Sequence, residues 1–201
     1  MIKNFLIALS MVCFSSAVFA IEAPDELVKR TADDVLAIVK ADADIQAGDQ
    51  AKIFALAEEK ILPNFNFERV SRLVLGKNWT RASAEQKAVF QTEFRTLLLR
   101  TYATALSKYK NQKIEFLPLR MAEGAKTVSV KTKILQDGGQ PITVNYSLAR
   151  EGESWKVYDI VIEAVSLVTN YRGQFSQEIR RNGLDSLNKK LADKNARATG
   201  S

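Results

Sequence analysis

The hydrophobic positions of this chain follow two periods, and the change between them separates helical regions from strands. Up to about residue 109, apolar residues recur every three to four positions, as on one face of an α-helix. This spacing predicts helices over 25–46, 50–62, 67–75 and 84–109. The last of these helices starts at a capping box, because Ser83 is followed three residues later by Gln86.

From Lys113 onward, apolar and polar residues alternate, which is the period of a half-buried strand. The alternation predicts four strands, over 113–121, 127–134, 142–149 and 155–163. Short turns such as Asp137-Gly138-Gly139 join them, which predicts a four-stranded antiparallel sheet with one apolar face. Helical spacing then returns over 168–179, stops at Gly183 and resumes over 184–191. The order predicts an α+β fold, with helices before and after the sheet.

The first twenty residues differ from the rest of the chain. One positive charge at Lys3 precedes an apolar stretch from Phe5 to Phe19, and small residues precede a cleavage site after Ala20. The stretch is too short to span a bilayer, so the segment is predicted to be a secretory signal peptide. A lipoprotein signal ending at Cys13 is the alternative, although the residues before this cysteine match a lipobox poorly.

Export changes how the composition is interpreted. Cleavage removes the single cysteine and leaves 21–201, predicted to be one α+β domain held by a hydrophobic core, with a frayed tail over 193–201. The net charge falls from +6 to +5 when the signal peptide is lost. Nucleic acid is not expected as the partner of an exported protein. The basic excess suits anionic membranes, an acidic partner or solubility alone.

Histidine and cysteine, which catalytic and metal sites commonly use, are absent or rare in this chain. Histidine is absent, and the one cysteine lies in the predicted signal peptide. Nucleophile systems that depend on histidine, and zinc sites built on imidazole or thiolate, are therefore excluded. The glycines form no phosphate-binding loop. Paired carboxylates, a lysine base or a tyrosine base stay possible without any motif, so the sequence favours binding over catalysis, with no cofactor and no metal.

The distribution of side-chain sizes leaves one question open. The predicted strands carry mostly medium-sized residues, whereas the large rings lie on the helices over 84–109 and 168–179. Slim strands facing bulky helices can close into a packed core. They can equally leave a cleft for an apolar ligand, and the periodicity does not separate these outcomes.

Two segments of the chain resemble a known family. The first runs from Ser71-Arg-Leu-Val-Leu-Gly76 to Tyr102, and the second runs from Trp155-Lys-Val-Tyr-Asp159 to Phe175. Together they resemble the MlaC family, also called the toluene-tolerance auxiliary protein family. The resemblance covers nearly all of the chain after the predicted signal peptide.

This resemblance implies a periplasmic phospholipid carrier that is not an enzyme and is expected to be a monomer. Such proteins shuttle lipid between an outer-membrane lipoprotein–porin complex and an inner-membrane ABC transporter with its substrate-binding ring. The implied fold is akin to nuclear-transport-factor-like or cystatin-like domains, with acyl chains between the sheet and the helices. A carrier of another amphiphile or of lipoproteins is the nearest alternative.

The residues expected to contact lipid lie on the sheet and on two helices. They are Phe94, Leu98 and Tyr102 of the long helix, Val128, Val130, Ile142, Val144, Tyr146, Leu148, Val157 and Val161 of the strands, and Val168, Tyr171 and Phe175 of the next helix. For each of them, core packing without lipid contact is the alternative.

Two charged residues in the second segment have open roles. Asp159 and Arg172 are expected to form a partly buried ion pair, or Arg172 anchors a carbonyl group. The functional alternative is that Arg172 meets the lipid phosphate, since a guanidinium binds phosphate bidentately. An enzyme of similar fold would instead use Asp159 as an acid in an apolar pocket.

Overall fold

The computed structural model describes residues 21–109, 112–136 and 138–197, and its helices come before and after one sheet. The predicted signal peptide with Cys13, and Asp137 of the predicted hairpin turn, lie outside the described residues. The first helices are α1 (Pro24–Ala41), α2 (Ala43–Ala47), α3 (Gln50–Leu56), α4 (Phe67–Leu75), α5 (Lys77–Arg81) and α6 (Ala84–Ser107). After α3 the chain continues as a π-helical turn over Ala57–Ile61 and a 3₁₀ turn over Leu62–Asn64.

The sheet is antiparallel and its strands lie in chain order. They are β1 (Lys113–Phe116), β2 (Thr127–Leu135), β3 (Ile142–Glu151), β4 (Ser154–Ile162) and β5 (Val165–Ser166). The sheet therefore has five strands, and the prediction of four was wrong. β5 has only two residues, which is too short to leave an alternating pattern in the sequence. The α+β class, with an antiparallel sheet flanked by helices, is confirmed, while the likeness to nuclear-transport-factor-like or cystatin-like domains stays a prediction.

Local capping explains where the helices of the first half begin. The predicted helix over 25–46 is two helices, because the Asp42 carboxylate accepts hydrogen bonds from the amides of Asp44 and Ile45 at 2.9 and 3.2 Å and caps α2. The capping box of α6 is confirmed. The Ser83 amide donates to Oε1 of Gln86 at 3.0 Å, and the Gln86 amide donates to Oγ of Ser83 at 3.1 Å.

The last helix, α7 (Leu167–Arg197), is interrupted where the sequence predicts an end. Gly183 has φ 82° and ψ 170°, and the chain turns helical again directly after it. The second half extends to Arg197, so 193–197 is helical where a frayed tail was predicted. Asn188 and Asn195 fasten this half to α6 by donating from Nδ2 to the carbonyls of Gln86 and Glu93 at 3.0 and 2.9 Å. Of the helices described, none has the length and apolar character of a membrane span.

The buried residues form three separate clusters. The first joins α4, α6 and α7 around Phe94, the second joins α1 to the sheet around Leu148, and the third joins α1, α2 and α3 around Ile53. Compact domains usually have one contiguous core. Here residues of all three clusters border a space that the side chains leave unfilled.

Two glycines offer a matched test of the backbone. Gly76 ends α4 with φ 54° and ψ −126°, and a Cβ there would lie 3.1 Å from Nη2 of Arg172. Gly173 lies within α7, with nothing within 4 Å of the position a Cβ would take. We expect Gly76→Ala to lower the free energy of unfolding by about 1–3 kcal/mol. Gly173→Ala should raise it by about 0.5–1 kcal/mol, because alanine favours the helix. Urea unfolding measures both, and a loss at Gly173 as large as that at Gly76 would contradict this account.

Candidate functional site

A cavity of about 430 Å³ lies between the sheet, α1, α6 and the π-helical turn. Its volume falls within the range of about 300–1,000 Å³ that is usual for ligand sites. Most of the lining residues are Ala, Val, Leu, Ile or Phe. Among the described residues, Arg95 and Asp159 are the charged groups that line it.

The apolar face of the sheet forms one wall of the cavity. Residues paired across strands share a face, and the register pairs Val144 with Ile162 and Tyr146 with Ile160. All four line the cavity, and Ile134 of β2 extends this wall toward β1. The wall follows directly from the alternation of β2 and β3.

An irregularity in β4 decides which of its side chains face inward. Ser147 of β3 pairs with Asp159, but the next residue, Leu148, pairs with Val157. Tyr158 is therefore the extra residue of a β-bulge, where two residues of one strand oppose one of the other.

The bulge reverses the alternation along β4. Val157 faces the cavity before the bulge, and Ile160 and Ile162 face it afterwards. Val161 was predicted to contact lipid together with Val157 of the same strand. It pairs with Asn145 on the polar face of the sheet, so it does not line the cavity.

Helix α1 and the turns after α3 form much of the remaining wall, and the sequence prediction did not include them. Pairs of neighbouring residues at 27–28, 31–32 and 35–36 recur every four positions on α1, and all of them line the cavity. This stripe, two residues wide, was the sequence signal that could have placed α1 at the cavity. It was not decisive, because a helix shows the same pattern when it packs on protein.

The structure divides the residues predicted to contact lipid into two groups. The first group lines the cavity, namely Phe94, Leu98, Tyr102, Val144, Tyr146, Val157 and Val168. The second group does not line it, namely Val128, Val130, Ile142, Leu148, Val161, Tyr171 and Phe175. Val128, Val130 and Leu148 belong to the second cluster, beneath the start of α1. Ile142 lies on the apolar face opposite Ile134, beyond the cavity wall. Lipid contact by the first group stays a prediction.

Tyr171 and Phe175 lie away from the cavity because their helix packs on α4 and α6. Their ring centroids lie 5.1 and 5.4 Å from that of Phe94, in edge-to-face arrangements. The apolar stripe of α7 therefore completes the first cluster, and only its first turn, with Leu167 and Val168, reaches the cavity.

Asp159 and Arg172 do not form the expected ion pair. Asp159 caps α7, because Oδ1 accepts from the Val168 amide at 3.0 Å and Oδ2 accepts from Oγ of Ser166 at 2.6 Å. The Arg172 guanidinium lies against Gly76, outside the cavity lining. Both carboxylate oxygens of Asp159 already accept hydrogen bonds, one from a backbone amide and one from a hydroxyl. This arrangement suits a structural role better than acid catalysis.

Two tyrosines of the cavity, Tyr102 and Tyr146, have side-chain pKa values raised above the usual value. Burial raises the pKa of Tyr146, and a hydrogen bond to Thr132 only partly opposes this. Burial also raises the pKa of Tyr102, and the neighbouring hydroxyl of Tyr171, to which it is hydrogen-bonded, adds to the rise. These rings thus add no charge to an apolar wall.

Comparison with known proteins adds independent evidence. The family model described as MlaC protein matches residues 29–193. The toluene tolerance protein ttg2D of Pseudomonas putida is 29% identical over 177 residues, which cover 87% of this chain and 81% of that protein. The intermembrane phospholipid transport system binding protein MlaC of Haemophilus influenzae is 28% identical over 171 residues, covering 84% of this chain and 80% of that protein.

A solved structure agrees with these relatives. It is that of the phospholipid-binding protein from Ralstonia solanacearum in complex with a phospholipid, 36% identical to this chain, with a TM-score of 0.81. The match covers 86% of this chain and 97% of the other. The resemblance found in the two sequence segments is thereby confirmed, and since the family model spans most of its length, the chain belongs to the MlaC family.

Proposed function

We propose that this chain is a periplasmic phospholipid carrier, not an enzyme, and that the acyl chains of its cargo lie in the cavity between the sheet, α1 and α6. The observation that carries the proposal is the apolar lining of that cavity, where the carboxylate of Asp159 is already engaged as a helix cap. The phospholipid seen with the Ralstonia solanacearum protein supports the same cargo.

Physical chemistry explains why a carrier needs such a cavity. Exposing two acyl chains of about sixteen carbons to water costs on the order of 20 kcal/mol, at roughly 0.8 kcal/mol per methylene group. A wall of Val, Ile, Leu and Phe removes that cost without forming a bond that must later be broken. The Tyr102 hydroxyl is hydrogen-bonded to Tyr171 and the Tyr146 hydroxyl to Thr132, so these two groups need no partner from the cargo.

Membership of the MlaC family supports a proposal for the route of the cargo. We propose that the mature protein begins near Ile21, is one domain and works as a monomer. It would collect or deliver phospholipid at an outer-membrane lipoprotein–porin complex and exchange it with an inner-membrane ABC transporter and its substrate-binding ring. This exchange would maintain the lipid asymmetry of the outer membrane and the tolerance of solvents, in line with the toluene tolerance that the name of the Pseudomonas putida relative records.

Solvent extraction of protein purified from the periplasm, followed by mass spectrometry of the extract, tests the proposal. We expect diacyl phospholipid in amounts comparable to the protein, and an intact mass that starts near Ile21. A different amphiphile in the extract would favour the alternative cargo. Protein that carries no lipid and takes up none from detergent micelles would overturn the carrier function.

A further inference from the structure

Arg95 is unusual among the residues of the cavity. Among the described lining residues it is the one cation, and the one carboxylate, Asp159, is held by Ser166 and the Val168 amide. Arg95 itself has no ion pair, hydrogen bond or aromatic contact with any residue that the structure describes. An arginine without a partner among the described residues thus borders a space that is otherwise almost wholly apolar.

The position of Arg95 places this charge at the opening of the cavity. Two lining residues are solvent-exposed, Arg95 and Ala105, and both lie on α6, whereas the others are half-buried or buried. The cavity therefore reaches solvent along α6. Arg95 is exposed and lines the cavity, which suits a long basic side chain that keeps its charged head in water and its stem against apolar surface.

Helix α6 continues from this charge as an apolar stripe. Leu98 and Leu99 lie one turn after Arg95, Tyr102 lies two turns after it, and the stripe ends at Leu106, next to the last residue of the helix. At 1.5 Å per residue, the stripe from Arg95 to Leu106 is about 17 Å long. A molecule with an anionic head and long hydrocarbon chains matches this order of one charge followed by an apolar track.

We propose that Arg95 binds the phosphate of the cargo at the mouth of the cavity, so that the head group lies at Arg95 and the acyl chains run along α6 toward Leu106. This inference rests on the proposed carrier function and adds the site that would distinguish phospholipids from lipids without phosphate. A guanidinium suits the role, because its planar fork donates two parallel hydrogen bonds to phosphate oxygens. Arg172, the other candidate for this contact, lies outside the cavity lining.

The test compares two lipids that differ only in the phosphate, dipalmitoyl phosphatidic acid and dipalmitoyl glycerol. Both are offered together, in equal amounts in detergent micelles, to delipidated protein, and native mass spectrometry measures the ratio of the two complexes. We expect the unmodified protein to prefer phosphatidic acid, and Arg95→Gln to reduce that preference about threefold to tenfold. The preference of the unmodified protein should also weaken in high salt, because the contact is exposed.

Arg180→Gln is the matched control, since Arg180 is an exposed arginine of α7 that does not line the cavity. It should leave the ratio unchanged. An unchanged ratio in Arg95→Gln would overturn the inference while the carrier function stands. Equal loss of both lipids in Arg95→Gln would also overturn it, because a phosphate contact acts on one lipid alone. If the unmodified protein binds neither lipid, the carrier function itself fails.

Discussion

Val144→Asp is expected to remove most of the bound lipid while the protein stays folded. Val144 is 7% exposed and lines the cavity on β3, so the new carboxylate would face the acyl chains. A carboxylate against hydrocarbon must stay protonated or draw in water, and either excludes lipid. Water can enter an open cavity more easily than a packed core, so the melting temperature should fall only modestly. Phospholipid extracted per protein and the melting curve measure the two effects.

Asn145→Asp provides the control for this substitution. Asn145 lies on the opposite face of β3 and pairs with Lys131, so a carboxylate there meets solvent and a positive charge. Thr143 is less suitable as a control, because its hydroxyl donates to the Glu163 carboxylate at 3.0 Å and a second carboxylate would repel it. Unfolding of Val144→Asp would mean that this position is core, and normal loading would mean that the cargo lies elsewhere.

Phe94→Ala should cause the largest loss of stability. The ring is 1% exposed and contacts the rings of Phe67, Phe90, Tyr171 and Phe175. Removing a fully buried phenyl ring costs about 3–5 kcal/mol, because it loses apolar burial and leaves a void. Urea unfolding would report this as a lower midpoint. The void opens toward the existing cavity, so lipid uptake by the remaining folded protein should persist.

Leu98→Ala is the natural comparison, one turn further along α6. Leu98 lines the same cavity but is only half-buried, so its truncation should cost about 1–2 kcal/mol. If Phe94→Ala lowered the free energy of unfolding by as little as Leu98→Ala, the neighbouring rings would have to move in and fill the void, contrary to their close contacts. A loss as large for Leu98 would place that residue in the core.

The sequence predicted elements wherever one physical signal dominated. The capping box at Ser83, the stop at Gly183 and the alternation of β2 and β3 are local signals, and the structure has each of them. The break at Asp42 was missed, because the helical spacing of apolar residues continues across it. Only the capping hydrogen bonds, which depend on side-chain geometry, end the helix there.

The site was less predictable than the fold, and two features show why. The bulge at Tyr158 depends on how β3 and β4 pair, and the sequence of β4 contains no signal for it. Uninterrupted alternation would place Val157 and Val161 on the same face, whereas the bulge places them on opposite faces. The stripe containing Tyr171 was ambiguous in another way. Periodicity shows that a helix has an apolar face but does not show whether protein or a cavity covers it.

The division of the interior into three clusters has a consequence for the working cycle of a carrier. Without cargo, the surfaces that meet at the cavity have no common partner, and hydrocarbon placed there would join them as one core. A ligand that binds only the folded state raises the free energy of unfolding, and the rise grows with the logarithm of the ligand concentration once that concentration exceeds Kd. Removal of the lipid would then lower the stability of the protein, because the lipid is part of the interior that holds the helices to the sheet. An acceptor that binds and stabilises the emptied protein would therefore favour release more than one that binds the lipid alone.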